Sequence, residues 1–491
     1  MSVKVWIEQV LPLARHWSPE QWALAGGLGI SLVGLGAMKF PWAEKMGHLA
    51  TLIPRFRRGE GILIAGVWIR DDARLRHTHI IGATGCGKTV LLEQLISQDI
   101  RRGQGMVIID PKGDRELFER VRAECAAAGR LDDLKLLSAV HRDESGWWNP
   151  CGLGDESELQ SKFYNSAIYS EPYYAKWCER ALLEVFNRLV QQRGLAGFSL
   201  RLVTEELEKL KKEQAFRNEN VEGLLLDLFN LGSGEWAAPL GCGAGKADPA
   251  REISLLEITQ KNQILFVDLP TEAKKVQSSR IGRLLTQELM LISGLRKMYP
   301  ELRGDRPFSV YIDEFDAFAT ESFATFLNKA RSSDFMIHVA HQTLSDLNAI
   351  GPDFSGKVLG NCNVRFFFRQ DDPDDAERLS RFIGTRVTVK KTYQTQDGSQ
   401  TGASSNREVQ EFILPPDQIK RLKVGQCFVS IKTDAVGRMV TLPFSPAIRA
   451  VVPRPSVHIS HRGLGQAASP PPATGTILFR LDDETNREPS E

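Results

Sequence analysis

Excess charge of one sign is missing from this 491-residue chain: 62 Lys and Arg stand against 61 Asp and Glu, a formal net charge of +1. That balance excludes a uniformly basic nucleic-acid-binding surface and leaves room only for a local basic feature. The seven cysteines form no C-x-x-C pair and no metal-like cluster with the nine histidines, so a disulfide framework and a structural zinc site are excluded and reduced thiols in a cytosolic domain are expected. No zinc finger, helix-turn-helix or fixed-period repeat is visible. Long hydrophobic runs are scarce too. One uncharged stretch, Gln21–Met38, approaches the hydrocarbon thickness of a bilayer, although its five glycines lower its helical preference. The chain is 42% hydrophobic and 25% charged, enough to bury one large core and a smaller one.

The most informative residues run from His79 to Thr89. Gly82-Ala83-Thr84-Gly85-Cys86-Gly87-Lys88-Thr89 fits G-x-x-x-x-G-K-[ST] between a short β-type run and the amphipathic helical run Val90–Ile96. The glycines let the backbone turn tightly enough for successive N–H groups and the helix N-terminus to face phosphate oxygens. Lys88 is expected to neutralise β/γ-phosphate charge and Thr89 to ligate Mg²⁺, which makes ATP with Mg²⁺ the expected cofactor pair. Cys86, inside the loop, counts as a small residue whose alkylation is expected to block nucleotide entry.

A hydrolytic site also needs a buried strand ending in carboxylates, and Phe308–Glu314 has that form. Asp313 is expected to hold the metal ion and Glu314 to orient and deprotonate the attacking water. Met106–Asp114 and Ile264–Pro270 read as further buried strands followed by polar turns, and Phe335–Ala340 leads into His341-Gln342. Ligands of open α/β sheets bind at the carboxyl edge of the strands, so Gln342 is placed to sense the γ-phosphate. Two arginines, Arg331 and Arg365, are candidates to complete a neighbouring subunit's site, with Arg365 favoured. Residues 156–246 carry helical apolar periodicity in Trp177–Leu189 and Val221–Leu231 and read as an all-α insertion, in which Lys209–Lys212 could touch phosphate. Thr392–Asn406, rich in Ser, Thr, Gln and Gly, reads as a mobile loop between two strands.

These residues resemble a known family. Gly82–Thr89, Asp110-Pro111-Lys112-Gly113-Asp114, Ile312–Phe315, Lys329-Ala330-Arg331, His341–Leu347, Leu359–Arg365 and Leu414–Leu422 look like the type IV coupling proteins of the TraD/TraG/TrwB group, over most of residues 60–450. The resemblance implies an α/β fold: a RecA-like P-loop ATPase core of the FtsK/HerA type with a mainly parallel sheet, assembled as a ring, a homo-hexamer. It also implies a motor that pumps DNA and links a relaxase–DNA substrate to type IV secretion channel proteins. Other FtsK/HerA motors of segregation or repair, and a nucleotide-gated scaffold recruiting protein substrates, are the alternatives.

The resulting division is a membrane anchor at 1–55, a first part of the nucleotide-binding domain at 56–154, the all-α insertion at 155–248, the second part of the motor at 249–452, and a disordered tail at 453–491. Trp22 and Trp42 flank the apolar run, and Lys39, Lys45, Arg55, Arg57 and Arg58 follow it. The positive-inside bias places the anchor in the bacterial inner membrane with the motor in the cytoplasm. The tail contains Ala467–Pro472 and the apolar patch Ile477–Leu481, a candidate docking peptide.

Overall fold

The computed structural model describes residues 61–443 apart from 114, 195–197, 214–215, 217–220, 244–246, 397–398 and 435. The expected anchor at Gln21–Met38 and the tail lie outside these residues. Among the described residues no helix is long and apolar enough to cross a membrane.

Nine strands form the central sheet in the order β13-β12-β9-β3-β8-β7-β4-β6-β5. Here β3 is Thr78–Ile81, β4 Met106–Asp110, β5 Leu134–Ser138, β6 Ile264–Asp268, β7 Phe308–Ile312, β8 Phe335–His341, β9 Val364–Phe367, β12 Gln426–Ile431 and β13 Val436–Thr441, while β1, Gly61–Ile64, and β2, Val67–Arg70, pair as a separate hairpin. The run from β9 to β5 is parallel, and β12 and β13 extend it antiparallel. Parallel strands covered on both faces should read as unbroken apolar runs, and β4, β6 and β7 are buried at every position. The two-residue side-chain period then divides each strand between two cores. Met106 and Ile108 face the helices Lys88–Arg101 and Arg115–Ala127, whereas Val107 and Ile109 pack with the long helix Thr271–Met298 and the insertion. The α/β core and mainly parallel sheet agree with the sequence reading.

Between β5 and β6 the described residues form helices, Glu156–Ser166, Pro172–Arg193, Leu200–Lys211 and Glu222–Leu231 among them. Asp155 and Glu158 start the first of them with a reciprocal capping box. Trp148 Nε1 and Lys162 Nζ both donate to the Glu288 carboxylate, each at 3.0 Å, which ties the insertion to Thr271–Met298. Lys209 and Lys211 are paired with Glu206 and Glu222, as on an ordinary solvated helix face. Residues Thr392–Asn406 depart from expectation: they continue the hairpin of β10, Thr385–Gln396, and β11, Ser399–Phe412, with Thr392 opposite Ser405 and Tyr393 opposite Ser404. A polar composition does not prevent a two-stranded ribbon whose backbone groups satisfy each other.

A polar cluster is buried between the phosphate-loop helix and the sheet. Asp99, fully buried, accepts a fork from Arg74 at 2.9 and 2.6 Å, together with the hydroxyls of Tyr311 at 2.6 Å and Ser309 at 3.0 Å. Burial opposes the Asp99 charge, but Arg74, Arg102 and Tyr311 outweigh it and hold the carboxyl down at about 2. A depressed folded value means that this contribution is complete above the ordinary Asp range near 4 and fades as pH falls toward about 2. Arg74→Met, which strands the buried carboxylate, should destabilise the fold by about 3–5 kcal/mol at neutral pH in chemical denaturation. A loss under about 1 kcal/mol would show that Asp99 is satisfied without Arg74.

Candidate nucleotide site

The phosphate loop leaves β3 at its carboxyl end and enters helix Lys88–Arg101 through Gly87, whose φ of 112° lies in the left-handed region. Gly82 is required sterically. A Cβ there would come within 2.4 Å of Phe368 Cβ and 2.6 Å of Cys86 Sγ. The buried Lys88 side chain folds across the loop and donates from Nζ to the carbonyls of Gly82 at 2.6 Å and Ala83 at 3.1 Å. Burial lowers the Lys88 pKa, while Asp313 and Glu314 act in the opposite direction, so the ammonium and both carboxylates share one electrostatic environment.

Those carboxylates come from the end of β7. Asp313 is 4% exposed and its Oδ1 accepts the Glu314 backbone N–H at 3.0 Å. Glu314 sits at φ 42°, ψ 55°, a conformation non-glycine residues seldom adopt and one that concentrates at functional sites. Burial raises the Glu314 pKa, with Asp313 and Asp316 adding to the rise, which moves the carboxyl toward the range useful for a general base.

Lys112 connects the two halves, and the sequence reading did not single it out as a site residue. Its Nζ donates to Thr89 Oγ1 at 2.6 Å and pairs with Asp313 Oδ2 at 3.1 Å. The signal available in the sequence was its place in the Asp110–Gly113 turn at the carboxyl edge of β4. Thr89 and Asp313, one hydroxyl and one carboxylate, are hard oxygen donors of the type Mg²⁺ takes alongside phosphate and water. Because a cationic ammonium already bridges them, the pair fits a bound cation on both charge and reach.

Gln342 lies at the end of β8, and its Oε1 accepts the Thr84 hydroxyl at 3.0 Å, so the expected sensor does touch the loop. Beneath it His79 and His341 meet Nε2 to Nε2 at 2.6 Å. His341 Nδ1 lies 2.9 Å from the Thr343 carbonyl, so it carries the proton, its Nε2 accepts, and His79 donates. Burial lowers both pKa values, His341 to about 4, so the pair stays neutral at physiological pH.

Two expectations are corrected. Cys86 is 2% exposed and burial raises its pKa, so the thiol is covered and protonated and is a poor alkylation target. Arg365 is 2% exposed, donates to the carbonyls of Cys362 at 3.2 Å and Leu359 at 2.5 Å, and stacks over Phe382. Burial lowers its pKa to about 10. A guanidinium committed to its own core is not presented to a neighbour. Arg331, on the turn Ala330–Ser333, is exposed.

The chain is similar to known proteins in sequence and in fold. Residues 61–124 match the type IV secretion-system coupling protein DNA-binding domain, and residues 307–424 match the TraM recognition site of TraD and TraG. The chain is 23% identical over 412 residues to the type 4 coupling protein DotL of Legionella pneumophila. The family models, the DotL relative and the fold together support a type IV coupling protein. The DotL match covers 68% of this chain but only 52% of DotL, so the chain spans about half the length of that coupling protein. The conjugative coupling protein TrwB, lacking its N-terminal 70 residues, superposes with a TM-score of 0.61 at 18% identity, over 79% of this chain and 89% of that one. TrwB in complex with ADP and Mg²⁺ gives a TM-score of 0.57 at 18% identity, covering 79% and 90%. Likeness at this identity carries the fold of the coupling-protein core.

Proposed function

We propose that this coupling-protein relative is an ATPase that drives DNA movement toward a type IV secretion channel from the bacterial inner membrane. The observation that supports the reading best is the convergence of Thr89, Lys112 and Asp313 beside Lys88 and Glu314. Lys88 would leave the Gly82 and Ala83 carbonyls for the β/γ-phosphates. Thr89 and Asp313 would hold Mg²⁺, which, when bound, draws charge from the phosphate oxygens. Glu314 would take the proton of the attacking water, and Gln342 would report the γ-phosphate to the loop through Thr84. Exposure favours Arg331 over Arg365 as the arginine given to a neighbour in a homo-hexameric ring. TrwB structures hold non-hydrolysable GTP and ATP analogues, and the family descriptions name DNA and TraM recognition. A relaxase-bound strand and the channel proteins are the partners this reading takes.

DNA should raise ATP turnover by the full chain, and affinity should fall steeply with salt. The expected slope is about 0.9 log units per phosphate neutralised on duplex and about 0.7 on single strands. Titration of labelled duplex and single strands across a salt series, with turnover followed in parallel, measures both. A flat salt response with unstimulated turnover would replace the motor with a nucleotide-gated scaffold for protein substrates.

A further inference from the structure

The contacts of Lys112 set a condition on metal binding. Its ammonium lies 2.6 Å from Thr89 Oγ1 and 3.1 Å from Asp313 Oδ2, the two oxygens that the nucleotide reading assigns to Mg²⁺. An ammonium and a divalent ion cannot share those oxygens, because the two cations repel each other at contact distance while competing for the same lone pairs. The two partners differ in mobility. The Asp313 side chain is 5% exposed, held at the end of β7 and bonded by the Glu314 amide, whereas the Lys112 side chain is 34% exposed on a flexible four-carbon stem. Lys112 is therefore the member that moves. A lysine ammonium seated on a carboxylate carries its positive charge into the exchange.

From this the geometry points to Lys112 as a tethered cation that competes with Mg²⁺ for Thr89 and Asp313 and sets the metal concentration the site requires. It rests on the nucleotide reading above and deepens it. While Lys112 bridges the pair, it keeps the phosphate loop and the β7 carboxylate at metal-binding separation. Once it leaves, its charge is released beside the phosphates. Lys112 is a positioning residue in this sense, with a cost in metal affinity built in.

The test is Mn²⁺ binding to the full chain, read by electron paramagnetic resonance in the presence of a non-hydrolysable ATP analogue, for wild type, Lys112→Met and Lys112→Gln. Loss of a half-exposed charged contact should tighten Mn²⁺ binding about three- to tenfold in both variants. The gain should persist at about 0.5 M salt, because contact competition is screened far less than a distant charge. Analogue binding without metal, by nucleotide fluorescence, is followed on the same preparations to show that each variant keeps a folded site. Unchanged or weaker Mn²⁺ binding, or a gain that disappears in high salt, would overturn the competition. Wild type that binds neither analogue nor metal would instead remove the nucleotide reading and this inference with it.

Discussion

Lys88→Ala should abolish nucleotide hydrolysis while leaving the fold intact. The side chain makes its two bonds to carbonyls of its own loop, so truncation opens no large cavity. What it loses is the ammonium beside Asp313 and Glu314. Removing a preorganised cation from a developing phosphate charge raises the barrier by about 4 kcal/mol or more, roughly a thousandfold in rate. Steady-state ATP turnover with a thermal melt of the same preparation separates chemistry from stability. Turnover within about tenfold of wild type would exclude the phosphate loop from the reaction.

Glu314→Gln should bind nucleotide and metal but turn over about 10²- to 10⁴-fold more slowly, since the amide keeps the shape and cannot accept the proton. The strained backbone at Glu314 accommodates Gln as readily as Glu, so stability should hardly change. Wild-type turnover should also fall on acidification at a pH above the usual carboxylate range. The raised Glu314 pKa means that its basic form is lost as pH drops through that value. That acid limb should vanish from the variant's residual rate. Mixed with wild type, the variant should suppress turnover of a shared ring. Undiminished activity at excess variant would argue against either the base or the ring.

What could be read from the sequence was what local pattern encodes. Glycine spacing marks the loop, apolar runs ending in carboxylates mark β4 and β7, and helical periodicity marks the insertion. Residues joined across the chain were not legible. Lys112, Thr89 and Asp313 meet only because β4 lies beside β7 and the phosphate-loop helix packs over both. The inward aim of Arg365 follows from the placing of β9 next to β3, where Arg365 stands opposite His79. Cys86 is buried in a cluster that includes Phe368, well over two hundred residues away. The Arg74–Asp99–Tyr311 cluster went unread for the same reason, since its members come from three elements far apart in the chain.

That cluster bears on how the phosphate-loop helix and β7 can move. Helix Lys88–Arg101 begins at the phosphate loop, and near its far end Asp99 is bonded to Ser309 and Tyr311 of the strand that delivers Asp313. Sliding the helix along the strand would break two charge-assisted bonds in a buried setting, a larger penalty than rotating a few peptide units. Helix and strand therefore travel as one strut. On the proposed ATPase reading, shape change during a nucleotide cycle would fall to the turns that leave this strut, residues 82–87 and 313–318, so a load would reach the phosphates through hinges and not through slipping layers.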